Sequence, residues 1–134
     1  MSKKSTAINT VGRRKRAIAH ATLREGKGIV RVNHVLLAQH APAMARSKIM
    51  EPLLLAGDVS KIDIDVRVNG GGQIGQADAA RVAIGRALIE HNKKLQPILL
   101  EYDRQLLVPD VRFKEASKPN RHGNARGKTQ KSYR

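Results

Sequence analysis

The last 23 residues, Arg112 to Arg134, hold eight lysines and arginines, one glutamate and almost nothing apolar. Such a segment buries too little apolar surface to offset the entropy lost on ordering its backbone, so any core must be built from what precedes it. Residues 1 to 16 add six basic groups and no acidic one, among them Arg13, Arg14, Lys15 and Arg16. The two ends together carry 14 basic residues against one acidic, which leaves 12 basic and 10 acidic for residues 17 to 111. Of the formal net charge of +15, the ends therefore account for +13 and the middle for +2.

A near-neutral centre between two basic extensions is arranged to reach outward and neutralise phosphates, and nucleic acid is the expected partner. The competing readings are a pair of solvated charged tails and contact with anionic lipid. Neither end has the amphipathic apolar face that interfacial binding needs, so no membrane partner is expected. The longest apolar runs, such as Leu53 to Ala56, fall far short of the ~20 residues that span a bilayer. The polar, basic N-terminus has no following apolar stretch, so no secretory signal is expected. Cysteine is absent, which excludes disulfides and thiolate metal ligands and suits a cytoplasmic location.

Removing the arms leaves about 95 residues, the size of one small domain. The division expected is a basic N-terminal arm (1–16), a globular body (17–111) and an extended basic C-terminal tail (112–134). Only Tyr102, Phe113 and Tyr133 are aromatic. Single-strand binders stack bases on several exposed rings, so contacts here should go to phosphate and sugar, reading shape rather than sequence.

Within the body, Ala17, Ala19, Ala21 and Leu23 alternate with Ile18, His20, Thr22 and Arg24, the period-2 pattern of a strand. After Glu25-Gly26-Lys27-Gly28 a second strand is expected over 29–33, forming a hairpin with the first. Residues 42–56 read as helical, with Ile49 and Leu53, then Met50 and Leu54, four apart. Pro52 within them lacks an amide donor and clashes with the preceding turn, so two short helices or a kink are expected, ending at Gly57. Over 61–68, Ile62, Ile64, Val66 and Val68 point to one face and Lys61, Asp63, Asp65 and Arg67 to the other. A helix is expected over 76–92, with Ala80, Ala83, Ile84, Ala87 and Leu88 as its apolar stripe and Asp78 in its first turn. A shorter helix over 95–102 should turn Leu95, Ile98, Leu99 and Tyr102 inward. These elements make a two-layer α+β sandwich: a small, mostly antiparallel sheet covered by helices on one face.

Gly70-Gly71-Gly72-Gln73-Ile74-Gly75 matches G-x-G-x-x-G between a strand and a helix. The acidic residue 20 positions on, Glu90, falls within an amphipathic helix instead of ending a second parallel strand, so dinucleotide binding is not expected. The glycines instead give a tight, backbone-exposed turn whose helix amides suit an RNA phosphate, with Gly70, Gly71 and Gly72 in contact. The five histidines show no metal-ligand spacing, and no metal or cofactor is expected. Asp63 and Asp65 imitate a catalytic pair but read more simply as a solvated strand face or as partners of Arg67. No catalytic constellation is present. Arg13, Arg14, Lys15 and Arg16 fit a nuclear-import patch, but as a tetrad leading straight into a strand they fit phosphate contact from a fixed position better. In the tail, Arg112, Lys114, Lys118, Arg121, Arg126 and Lys128 are the candidate RNA contacts.

Gly12-Arg13-Arg14-Lys15-Arg16-Ala17-Ile18-Ala19, Gly70-Gly71-Gly72, Gly75-Gln76-Ala77-Asp78-Ala79-Ala80-Arg81 and the terminal Gln130-Lys131-Ser132-Tyr133-Arg134 resemble, in order and spacing, ribosomal protein nine of the small subunit. The resemblance runs from about Val11 to Arg134. Glu101 to Val108 and the Ser-Tyr-Arg ending look like the archaeal and eukaryotic branch. The resemblance implies a non-enzymatic, cytoplasmic, ribosome-associated protein. Its body would lie in the head of the small subunit against ribosomal RNA and neighbouring head proteins. Its tail would reach the anticodon stem-loop of the P-site tRNA through Lys131, Tyr133 and Arg134. An off-ribosome RNA-binding or RNA-chaperone protein of the same fold is the alternative, and an enzyme using the Gly70–Gly75 loop a third reading, which requires that a nucleotide raise the melting temperature.

Overall fold

The computed structural model describes residues 7–39, 43–57, 59–108, 112, 116–120 and 125. Among them, strands β1 (Ile8–Arg14), β2 (Ala17–Glu25), β3 (Val30–Val32), β4 (Val35–Leu36) and β5 (Ile62–Asn69) form one sheet in the order β1-β2-β5-β3-β4. All neighbours are antiparallel except β3 and β5, which run parallel and are joined through helix α1 (Ala43–Ala56). Helix α2 (Gln73–His91) lies across β1, β2 and β5, and helix α3 (Gln96–Tyr102) follows it. The two-layer α+β arrangement expected of the sequence is thus what the chain adopts.

The layers meet through small side chains. Ala17, Ala19 and Ala21 of β2 and Ala79, Ala80, Ala83 and Ala87 of α2 are all at most 1% exposed. Small residues on both sides bring the helix backbone close to the sheet. Gly12 of β1 marks the closest approach: a Cβ there would collide with the Ala79 carbonyl oxygen and stand 2.6 Å from the Ala83 nitrogen. Beside it, the buried Thr10 hydroxyl donates to the Ala83 carbonyl at 2.7 Å. Arg86 of α2 reaches the other way, donating from Nη1 to the Val11 carbonyl at 2.9 Å and from Nε to the Leu107 carbonyl at 3.1 Å. The larger core residues, Ile49, Ile64, Ile84, Leu88 and Leu99, fill the space flanking this contact.

Four expectations change. The hairpin pairs β2 with β1, and β5 separates β2 from β3. Burial drives this, because the apolar face of β5, Ile62 to Val68, is buried most completely in the centre of a sheet. The loop after β2 is held to β5 by Asp63, whose Oδ1 accepts the amides of Lys27, Gly28 and Ile29 at 2.9, 3.1 and 2.9 Å. Second, Ile8–Arg14, assigned to a basic arm, is an edge strand whose Thr10 and Gly12 are buried. Third, α1 is one helix through Pro52 and not two short ones; Pro52 is itself buried with Ile49 and Leu53, so packing offsets the lost hydrogen bond. Met50 and Leu54 face solvent. Fourth, α2 begins at Gln73, which moves Asp78 into its second turn, and α3 buries Leu99 while Ile98 and Tyr102 remain 46% and 56% exposed.

Candidate nucleic-acid interface

The β1–β2 turn consists of two residues, Lys15 and Arg16, between the paired Arg14 and Ala17. Lys15 sits at φ 54°, a left-handed conformation that a lysine adopts at a cost near 1 kcal/mol. Against this turn lies the one joining β5 to α2. Gly70 (φ 79°) and Gly71 (φ 68°) supply conformations that side chains resist, and there is no room for one either. A Cβ on Gly70 would stand 2.5 Å from the Arg16 carbonyl oxygen, and one on Gly71 3.2 Å from the Ala17 nitrogen. The glycines therefore let the tip of the basic hairpin rest on the start of α2.

Gly72 precedes α2 in an extended conformation and no side chain caps the helix. Its first amides and its positive dipole end open into a groove of about 1240 Å³. Arg14, Lys15 and Arg16 bound one side, Gly71 to Gly75 the floor, and Arg112 and Ser117 enter from the chain beyond α3. Asp78 moderates the charge, with Oδ1 3.3 Å from Lys48 Nζ and Oδ2 3.8 Å from Arg14 Nε. A smaller groove of about 270 Å³ adjoins it, with Arg13, Arg81 and Arg112 in its wall. Arg81 is tied there to Glu51 and, at 3.0 Å, to Asp103, while its Nε is buried without a partner among the described residues.

The structure thus gathers most of the predicted contacts that lie among the described residues and sets others apart. Arg14, Lys15, Arg16, Gly71, Gly72 and Arg112 share the groove, with Gly70 packed behind its floor. Arg13, alternating with the buried Thr10 and Gly12 along the β1 edge, lines the smaller groove with Arg81 and Asp103 and not the larger one, so the tetrad is not one patch. Lys118 is exposed outside the groove lining. Lys114, Arg121, Arg126, Lys128, Lys131, Tyr133 and Arg134 lie outside the described residues.

Arg24, Arg31 and Arg67, exposed on the sheet face that no described helix covers, were not among the sequence candidates. The signal was present in the alternation itself, since each occupies the register opposite to a buried neighbour. Of the acidic residues on that face, Asp63 has its carboxyl held below the ordinary aspartate range, first by the Ile29 amide, against an upward push from burial, and then by the amides of Lys27 and Gly28 and the charge of Arg31. It is a loop anchor, not half of a catalytic pair. Among the described residues no cluster of three or more histidines and carboxylates is placed to hold a metal ion, and no helix is long and apolar enough to cross a membrane.

Comparison with known proteins identifies the family. The small ribosomal subunit protein uS9 of Methanothrix thermoacetophila is 49% identical over 130 residues, covering 95% of this chain and 98% of its own length. Those of Methanococcus vannielii and Methanococcus maripaludis are 47% and 46% identical over 131 residues, with the same coverage. A family profile described as ribosomal protein S9/S16 matches residues 12–134, from the glycine packed beneath α2, through the hairpin and the glycine turn, to the terminal arginine. With its body and its basic tail inside one continuous match, the chain belongs to the ribosomal protein S9/S16 family.

Proposed function

We propose that this chain is a structural, non-enzymatic constituent of the small ribosomal subunit, working in the cytoplasm on the ribosome and holding small-subunit ribosomal RNA. The observation that carries this reading is near full-length similarity to relatives named as small-subunit proteins, in a chain whose basic hairpin meets an uncapped helix start. In the groove, Lys15 and Arg16 supply mobile cationic contacts and the α2 amides fixed ones. Arg112 brings the start of the tail to the same place. Arg121, Arg126 and Lys128 continue along the RNA backbone, and Lys131, Tyr133 and Arg134 reach the anticodon stem-loop of the P-site tRNA. A basic tail enters folded RNA where a globule does not fit, and it releases counterions as it neutralises phosphates. Neighbouring head proteins complete its surroundings.

A sucrose-gradient profile of a lysate, probed for this chain with and without ribonuclease, tests the assignment. Stoichiometric co-migration with small subunits that survives high salt and collapses after ribonuclease is expected. A position at the top of the gradient would favour an off-ribosome RNA-binding protein. For the tail, deleting Gln130 to Arg134 should leave assembly intact and weaken P-site tRNA retention. Equal tRNA affinity of truncated and wild-type subunits would refute the tail's role.

A further inference from the structure

Among the described residues the helices cover one face of the sheet and leave the other open, and the register arranges that open face in rows. One row runs Asn9, Thr22, Asp65, Arg31 across β1, β2, β5 and β3; the next places Val11, His20 and Arg67 side by side. Strands stand ~4.8 Å apart and same-face residues ~6.8 Å apart along each strand, so Arg31 and Arg67 are diagonal neighbours, with Arg24 one strand away at the far end. All three arginines are exposed. None has an ion pair within the described residues. Of the two acidic residues, Asp63 is committed to the loop amides, which leaves Asp65 as the lone uncommitted carboxylate among three guanidinium groups.

We propose that this open face is a second RNA surface, separate from the groove, that takes the phosphate–ribose backbone of an RNA duplex. Charge selects a polyanion, and residue type selects its form. Phe, Tyr and Trp are missing from the strands, so this face offers successive bases no more than the single imidazole of His20 on which to stack, and a single strand is a poor occupant. Guanidinium groups flanked by the short polar Asn9, Thr22 and Asn69 suit phosphates and 2′-hydroxyls along the shallow minor groove of an A-form helix. The proposal deepens the ribosomal RNA reading and rests on it. The body would then be held between RNA at the hairpin tip and RNA on the sheet.

The cysteine-free sequence makes the test clean. Single-cysteine variants Thr22→Cys, at the centre of the open face, and Lys15→Cys, at the hairpin tip, are each loaded with a tethered iron–EDTA probe. The full chain is then bound to small-subunit ribosomal RNA. Hydroxyl-radical cleavage from Thr22→Cys should cut both strands of an RNA helix, at positions distinct from those cut from Lys15→Cys. Cleavage from Lys15→Cys alone overturns the second surface and leaves the ribosomal reading standing; cleavage from neither removes that reading as well. As an independent readout, Arg31→Gln with Arg67→Gln should flatten the slope of log affinity against log salt by roughly 1.4 to 1.8, two phosphate contacts' worth, with melting unchanged. Asp65→Asn should tighten binding. A double variant that binds RNA with wild-type affinity and slope, yet drops out of assembled subunits, would reassign the face to a protein neighbour.

Discussion

Gly12 shows how much one missing methyl group decides. β1 carries the basic hairpin, and β1 meets α2 only because residue 12 has no side chain to collide with the Ala79 carbonyl. Flexible side chains cannot give way here, since both obstructing atoms belong to helix backbone. Gly12→Ala should therefore lower stability by about 1–3 kcal/mol through overpacking. At about 4–8 °C per kcal/mol for a domain of this size, thermal melting would show it plainly, and an unchanged midpoint would mean that β1 can move away from α2 without loss. Gly12 opened a conspicuous run in the sequence, but a Gly before four basic residues reads as a flexible arm; nothing in the neighbouring residues betrays that a helix 67 positions further along lies against it.

At the scale of elements, periodicity was a sound guide wherever burial alternates cleanly. The β5 pattern and the α2 stripe of Ala80, Ala83, Ile84, Ala87 and Leu88 are all buried as expected. Pairing was less legible, because strand partners are fixed by which faces compete for the centre, and a local turn such as Glu25 to Gly28 looks the same whether it closes a hairpin or leads away from one. The deciding residue was Asp63, read from the sequence as part of a solvated face. Its three amide contacts bind the loop to β5 and depress its pKa, so its contribution to stability is complete above the ordinary aspartate value and is lost as pH falls through the lower folded value. Asp63→Asn should thus be less stable than wild type near neutrality, with the two denaturation midpoints converging under acid. Parallel curves at every pH would show the anchor to be unimportant. The groove was half visible: the hairpin residues and the glycines were both identified, but that the two turns touch depends on the antiparallel pairing of β2 with β5, which brings Ile18 opposite Asn69.

The whole molecule is a neutral scaffold that displays cations in two directions, from the hairpin tip and from the open sheet face, while the match to its relatives extends through the basic tail. Its strand order also governs how it can be made. The central strand is the last of the five in the chain, and β2 and β3 are each completed before their shared neighbour exists. A nascent polypeptide leaving the exit tunnel can close the β1–β2 hairpin alone, but a two-stranded ribbon is marginal in water. The sheet must wait for Ile62 to Asn69, and its apolar cover for α2. A fragment ending at Gly57, although it contains four of the five strands and α1, should show no cooperative unfolding by circular dichroism, whereas one extended through His91 should begin to. Until that point the basic hairpin is made but has no sheet to hold it, so synthesis, and not only assembly, imposes an interval in which its cations are displayed without their scaffold.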